Sequence, residues 1–127
     1  MKRLWISALI ILLLIGLASL HVSHLKTLTD DLIDQLEAAE TSLKQKNWTA
    51  AKRTVQEVHD QWERQAVYLH TMLRHTDIDA IRTSLQEVLA YLDSKEDTAE
   101  CQAAAAKLIN QLELLLEAEL PSIKNLL

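Results

Sequence analysis

Histidine, cysteine and clustered carboxylates are the side chains here with chemistry to offer, and their spacing limits what that chemistry is. His21 and His24 stand three residues apart, on one face of any helix that carries them. Two imidazoles so placed could share a metal or report pH, but they make half a site. His59 has Glu63 four residues on, and His70 has no carboxylate neighbour in sequence. A di-metal site in a helical bundle needs Glu-x-x-His motifs from two helices, and the chain contains no Glu-x-x-His. Covalent haem needs Cys-x-x-Cys-His, which is absent as well.

Cys101 is the single cysteine, so no internal disulfide or multi-cysteine zinc site can form. It falls in the first turn of an expected helix, where the dipole favours a thiolate, but Asp97 and Glu100 oppose that. A small inert side chain is the expected role. Glu113, Glu117 and Glu119 form an acidic group in which Glu113 and Glu117 share a face, as on a solvated surface. His75, Asp77 and Asp79 are the strongest candidate for an interaction or ligand turn. There Asp can cap a helix start and His can sit at a helix end, or the three can face an ion or a partner. No catalytic constellation is complete, and the one glycine, Gly16, rules out a glycine-rich phosphate loop. The expectation is a protein that is not an enzyme, with no catalytic residues, no cofactor and no bound metal.

The elements that would position these residues are helices. Gly and Pro occur once each in 127 residues, too few for the turns of an all-β fold, and Leu and Ala dominate. Leu4 to Leu20 is 17 residues without a charge, and the uncharged run continues to Leu25. That length matches the hydrocarbon thickness of a bilayer. Residues 4–24 are therefore expected to be a transmembrane signal-anchor, with Lys2 and Arg3 holding residues 1–3 in the cytoplasm and Trp5 at the interface. The alternative is a cleaved signal, with Gly16 and Ala18 at −3 and −1 of a cut before Ser19 and a secreted product. The length of the apolar run and the unbroken pattern after it favour the anchor.

Residues 25–127 are expected to form one extracytoplasmic helical domain at the cell envelope. Leu25, Leu28, Leu32, Leu36, Ala39 and Leu43 recur at helical spacing and extend the anchor as a stalk able to pair with a partner helix. Lys46-Asn47 suits a tight turn. Trp48, Ala51, Val55, Val58, Trp62, Ala66 and Leu69 form the next stripe, Ile78 to Leu92 a third, and Ala105 to Leu116 a fourth. Asp97 with Glu100 resembles a capping box, and Pro121 is expected to end or kink the last helix. The helices are expected over about 25–46, 48–74, 77–93 and 98–119. The fold class is all-α: an N-terminal transmembrane helix continuing into an antiparallel up-and-down bundle of about four helices.

From Lys26 on, 11 basic residues face 18 acidic ones. An acidic body is a poor nucleic-acid binder and is repelled by anionic lipid, so attachment to membrane lipid should rest on residues 4–24. No small-molecule substrate is evident. A protein partner or self-association is expected.

Trp62, His75 with Asp77, Asp79 and Ile81, then Leu89-Ala-Tyr-Leu92 and Ile123-Lys-Asn-Leu-Leu127, carry a resemblance. From Asn47 to Leu127 the chain resembles an uncharacterised family of small proteins from Gram-positive, spore-forming bacteria, domain of unknown function 4363. The resemblance implies a short basic start, one apolar helix and an acidic helical domain, and brings no activity or site residues with it. The chain departs from the family pattern at Arg74, where an acid is usual, and at Asp77, where Glu is usual. The expected function is a non-enzymatic, membrane-anchored accessory or scaffold protein. The alternative is a ligand- or ion-sensing domain using the His75, Asp77 and Asp79 turn.

Overall fold

The computed structural model describes residues 1–95 and 98–126, with Met72 and residues 119–126 described by backbone alone. Among the described residues the elements are all helical. They are α1 (Lys2–Lys44), α2 (Trp48–Arg64), α3 (Ala66–Met72), α4 (His75–Ser94) and α5 (Thr98–Leu126). α1 packs against α2 and α5, and α4 closes the ring against the same two helices. α3 prolongs α2, so five helices make the four arms of an antiparallel up-and-down bundle.

The packing follows from an alternation of three and four residues on every arm. The buried stripe of α1 is Val22, Leu25, Thr29, Leu32, Leu36, Ala39 and Leu43. On α2 it is Ala51, Val55, Val58 and Trp62, and on α4 Ile78, Ile81, Leu85, Val88 and Leu92. Cys101, Ala105, Leu108, Leu112 and Leu115 complete it on α5. A mean spacing of 3.5 keeps each seam facing its neighbours along the whole bundle, as in left-handed coiled-coil packing. Burial of each large side chain contributes about 1.5–3 kcal/mol. The stalk expected to offer this stripe to a partner instead buries it inside the chain's own bundle. Leu28, expected in the stripe, is half-buried, and Thr29 takes the core position. The 3.5 alternation selects residue 29, whereas hydrophobicity alone selects 28.

α1 changes character along its length without a break. No residue before Val22 is buried. Its apolar window is long enough to cross a membrane, and 6% of that window is buried.

The turn after α1 closes by backbone chemistry. Lys46 N–H donates to the Leu43 carbonyl at 2.9 Å and Asn47 N–H to the Ser42 carbonyl at 2.8 Å, a paired C-terminal cap. That geometry needs a left-handed residue, and Lys46 fills it at φ 59°. Asn47 then caps α2, its Oδ1 accepting from Ala50 N–H at 3.2 Å. Lys95, at φ 55°, ends α4 in the same conformation.

Three helix boundaries differ from expectation. The helix expected over 48–74 is interrupted at Gln65, whose backbone N–H is shared between the Gln61 and Trp62 carbonyls at 3.2 Å each. Continuing the α2 stripe by three residues past Trp62 places Gln65 in the core-facing row. A polar side chain there is better satisfied at the surface, and the break leaves Gln65 half-buried. α4 begins at His75 rather than at 77, because Arg74 is extended, at φ −71° and ψ 138°, and its carbonyl accepts from Asp77 and Ile78 N–H. α5 runs through Pro121 to Leu126 instead of ending near 119. Proline removes a single backbone donor, and the turn after it keeps helical geometry. Asp97, first member of the expected capping box, lies outside the described residues, as do the side chains of the tail after Pro121.

Polar clasps tie neighbouring arms. Gln35 and Gln61 pair across α1 and α2 at 3.1 Å, and Ser84 donates to Gln111 across α4 and α5 at 2.5 Å. Arg82 clamps Glu63 across α4 and α2 through Nε at 2.6 Å and Nη2 at 3.2 Å. Hydrogen bonding to Glu63 raises the Arg82 pKa further and holds the guanidinium charged. Lys52 and Asp93 form an ion pair at the far end of the same seam.

Two substitutions test this account by thermal unfolding of the full chain, followed by circular dichroism. Thr29 Oγ1 is buried without a protein partner. Thr29→Val should therefore stabilise the chain by about 1 kcal/mol, and a loss of stability would show that the hydroxyl is used. Lys46→Gly should stabilise it by up to about 1 kcal/mol by relieving the left-handed conformation, whereas Lys46→Pro should destabilise it.

Candidate functional site

His75, Asp77 and Asp79 do not converge. They occupy the first turns of α4 rather than a loop, and all three are exposed. His75 and Asp79, four apart, share a face, while Asp77 is turned away around the helix. Each has a local role. Asp77 stands in the first turn, where a carboxylate complements the helix dipole. Asp79 Oδ1 lies 3.6 Å from Arg82 Nη1, adding to the Glu63 clamp. His75 Nδ1 meets His70 Nδ1 at 2.8 Å, so one ring donates and the other accepts. Among the described residues no three His, Cys, Asp or Glu side chains are grouped to hold a metal.

The remaining candidates are accounted for by their surroundings. His59 lies 3.4 Å from Asp60 and 4.0 Å from Glu63 on the surface of α2. Hydrogen bonds from Gln56, and then from His59, hold the Asp60 carboxyl below its ordinary pKa. Glu113 and Glu117 are exposed on α5, and the side chain of Glu119 lies outside the described residues. Trp62 is fully buried, and Trp48 packs half-buried against the core.

A different cluster is built at the near end of the bundle, where α1 passes out of its apolar segment. Tyr68 Oη and His21 Nδ1 are 2.7 Å apart. His24 sets its ring edge-on to Tyr68 at 4.9 Å between centroids, and its Nε2 lies 3.4 Å from Gln65 Oε1. The two histidines thus flank an aromatic ring instead of converging on a common point. Burial raises the Tyr68 pKa, which keeps its hydroxyl protonated and able to donate. Leu17, Leu20, His21, His24, Gln65 and Tyr68 line an open groove of about 600 Å³. The break at Gln65 creates it, because no Cα of α3 lies within 8 Å of α1 and side chains alone span the gap.

Helical spacing shows His21 and His24 on one face but says nothing of Tyr68. Gln65 in the core-facing row is a signal of the helix break, not of the partners it brings together.

Cys101 is fully buried, and desolvation raises its thiol pKa, the opposite of nucleophile activation. In the native chain a maleimide should modify it at least about 100-fold more slowly than in denaturant, because access requires local unfolding. Rapid native labelling, read by mass spectrometry, would show that the first turn of α5 opens freely.

No curated protein and no solved structure matches the chain. A family model does, described as Domain of unknown function (DUF4363), and it spans residues 19–126. The match takes in the whole bundle, both halves of the near-end groove from His21 to Tyr68 and the His75 turn, and on that extent the chain belongs to this family of unknown function.

Proposed function

We propose that the protein is a singly anchored membrane protein that works without catalysis, as an accessory or scaffold subunit at the cell envelope. Residues 1–3 lie in the cytoplasm, 4–24 span the bilayer, and the bundle projects from the outer face. One observation carries this reading. The apolar segment is exposed on nearly every side while the helix continues unbroken into a bundle that needs its second half. Trp5 is 73% exposed and Leu12 65%. A core helix would be covered by its own chain, and here α1 runs through Ser19 without a break.

Partner binding is inferred from what is left uncovered. Outside the apolar segment the large hydrophobic side chains that stand out are Val67, 81% exposed, and Leu114, 54% exposed. Single exposed side chains are ordinary on a soluble surface. Association with a protein partner or a second copy is therefore assigned chiefly to the membrane-spanning half of α1.

Cys101 is too buried to report topology, so the test uses Ala106→Cys, at an exposed position, in a Cys101→Ala background. An impermeant maleimide should label it in intact cells, on a protein of uncleaved mass that stays with carbonate-washed membranes. Labelling only after permeabilisation would invert the topology, and a soluble form beginning at Ser19 would establish secretion. In the same membranes, photo-crosslinkers within residues 4–20 should capture a protein. A chain that remains uncrosslinked and monomeric would remove the scaffold reading.

A further inference from the structure

Acidic residues are missing from two stretches of the chain. Residues 1–29 contain no Asp or Glu, and neither do residues 64–76. These two stretches meet at the near end, on α1 and on the α2–α3 arm, and they carry Lys26, Arg64, Arg74 and four of the five histidines. Of the acids nearest that end, Asp77, Asp79, Glu113 and Glu117 stand on α4 and α5, the opposite seam of the ring, Glu63 on α2 is clamped by Arg82, and Asp30, Asp31 and Asp60 lie about one turn further into the bundle. An acidic domain thus turns a basic edge toward its apolar segment. Whole-chain net charge conceals this edge.

The groove between α1 and α3 opens on that edge and is amphiphilic in the matching sense. Leu17 and Leu20 form its end toward the apolar segment, and His24, Gln65 and Tyr68 its other end. Gln65 Oε1 is positioned to accept from His24 Nε2–H, which leaves the Gln65 amide NH2 as a donor beside the imidazole. Arg64, exposed, directly precedes Gln65, while Lys26, two residues past His24, lies on another face of α1. A ligand that satisfies both ends has a hydrocarbon chain continuous with an anionic, hydrogen-bond-accepting head.

We propose that this groove binds an anionic phospholipid, its phosphate at the Gln65 amide NH2 and the Tyr68 hydroxyl, with His24 orienting Gln65, and an acyl chain against Leu17 and Leu20. The inference rests on the anchored reading above, which places residues 17–24 at the bilayer surface. The lipid is taken from the leaflet around the helix, so binding orders the boundary between anchor and bundle.

The test uses the full chain in mild detergent, by native mass spectrometry, with phosphatidylglycerol and phosphatidylcholine added in equal amounts. The wild type should retain phosphatidylglycerol preferentially, and His24→Ala with Tyr68→Phe should lower that retention about tenfold, the loss of one or two charge-assisted hydrogen bonds. Lys95→Ala, at the far end, should leave it unchanged. A photoactivatable phosphatidylglycerol, used on the wild type alone, should mark the tryptic peptide Gln65–Arg74, which keeps the test decisive if the double variant misfolds. Equal retention of both lipids, or crosslinks spread evenly along residues 4–20, would overturn the proposal. So would inorganic phosphate displacing the lipid at millimolar concentration, since the site would then be for free phosphate. Carbonate extraction of the membranes from which the chain is purified separates the two claims. A chain that leaves the membrane fails the anchored reading, and one that stays but shows no lipid preference fails this proposal alone.

Discussion

The structure depends on α1 being one uninterrupted helix that satisfies two different surroundings. Up to Leu20 it is apolar on all faces, and from Val22 it is apolar along one stripe only. A continuous helix carries its rotational phase from one half into the other. Within the first 20 residues Ile15 and Ala18 are the half-buried positions, three and four residues apart in line with Val22. The stripe that organises the bundle thus begins inside the apolar segment. The other arms are built against it, so their orientation relative to that segment is set by α1 and not by a flexible linker.

Periodicity was legible in the sequence wherever no second local signal opposed it. The stripes of α2, α4 and α5 are the ones the spacing of Ala51, Ile78 and Leu108 implies, and the antiparallel order follows from short connections. The failures arise where two local signals compete. Leu28 and Thr29 exchange roles because a 3.5-residue repeat, set by the partner helices, outranks the hydrophobicity of a single residue. Gln65 interrupts a helix that contains no Gly or Pro, because the stripe carries a polar group into the core row and the backbone yields first. Pro121 does not stop a helix, because one missing donor disturbs one turn. The His75 turn shows a related effect. His75, Asp77 and Asp79 look like a cluster in sequence, but once inside a helix they are divided between faces and given to separate neighbours.

The near-end cluster could not be read from the sequence, since it joins residues 47 positions apart, His21 and Tyr68. Imidazole and phenol are compatible with many environments, and nothing local to either predicts the other. What was present in the sequence was the absence of acid over residues 64–76, a regional feature that a whole-chain charge conceals.

The two ends of the bundle are also packed differently. At the far end the stripes are unbroken aliphatic and small residues: Leu36, Ala39 and Leu43 against Ala51, Val55, Leu92, Cys101 and Ala105. At the near end Gln65 is half-buried and pairs with His24, whereas the Thr29 hydroxyl and the Trp62 indole N–H are buried without a protein partner. Polar groups in these positions weaken the near end relative to the far end, since each forgoes solvation that packing does not replace. Local opening is drawn from the least stable part of a fold, which here is the end adjoining the apolar segment. Ser84, the other buried polar residue, lies mid-bundle and is paired with Gln111, so the unpaired buried groups, the helix break and the stretches without acid fall together at the near end. Their coincidence supports the junction with α1's apolar half, rather than the exposed acidic faces, as the binding surface proposed above.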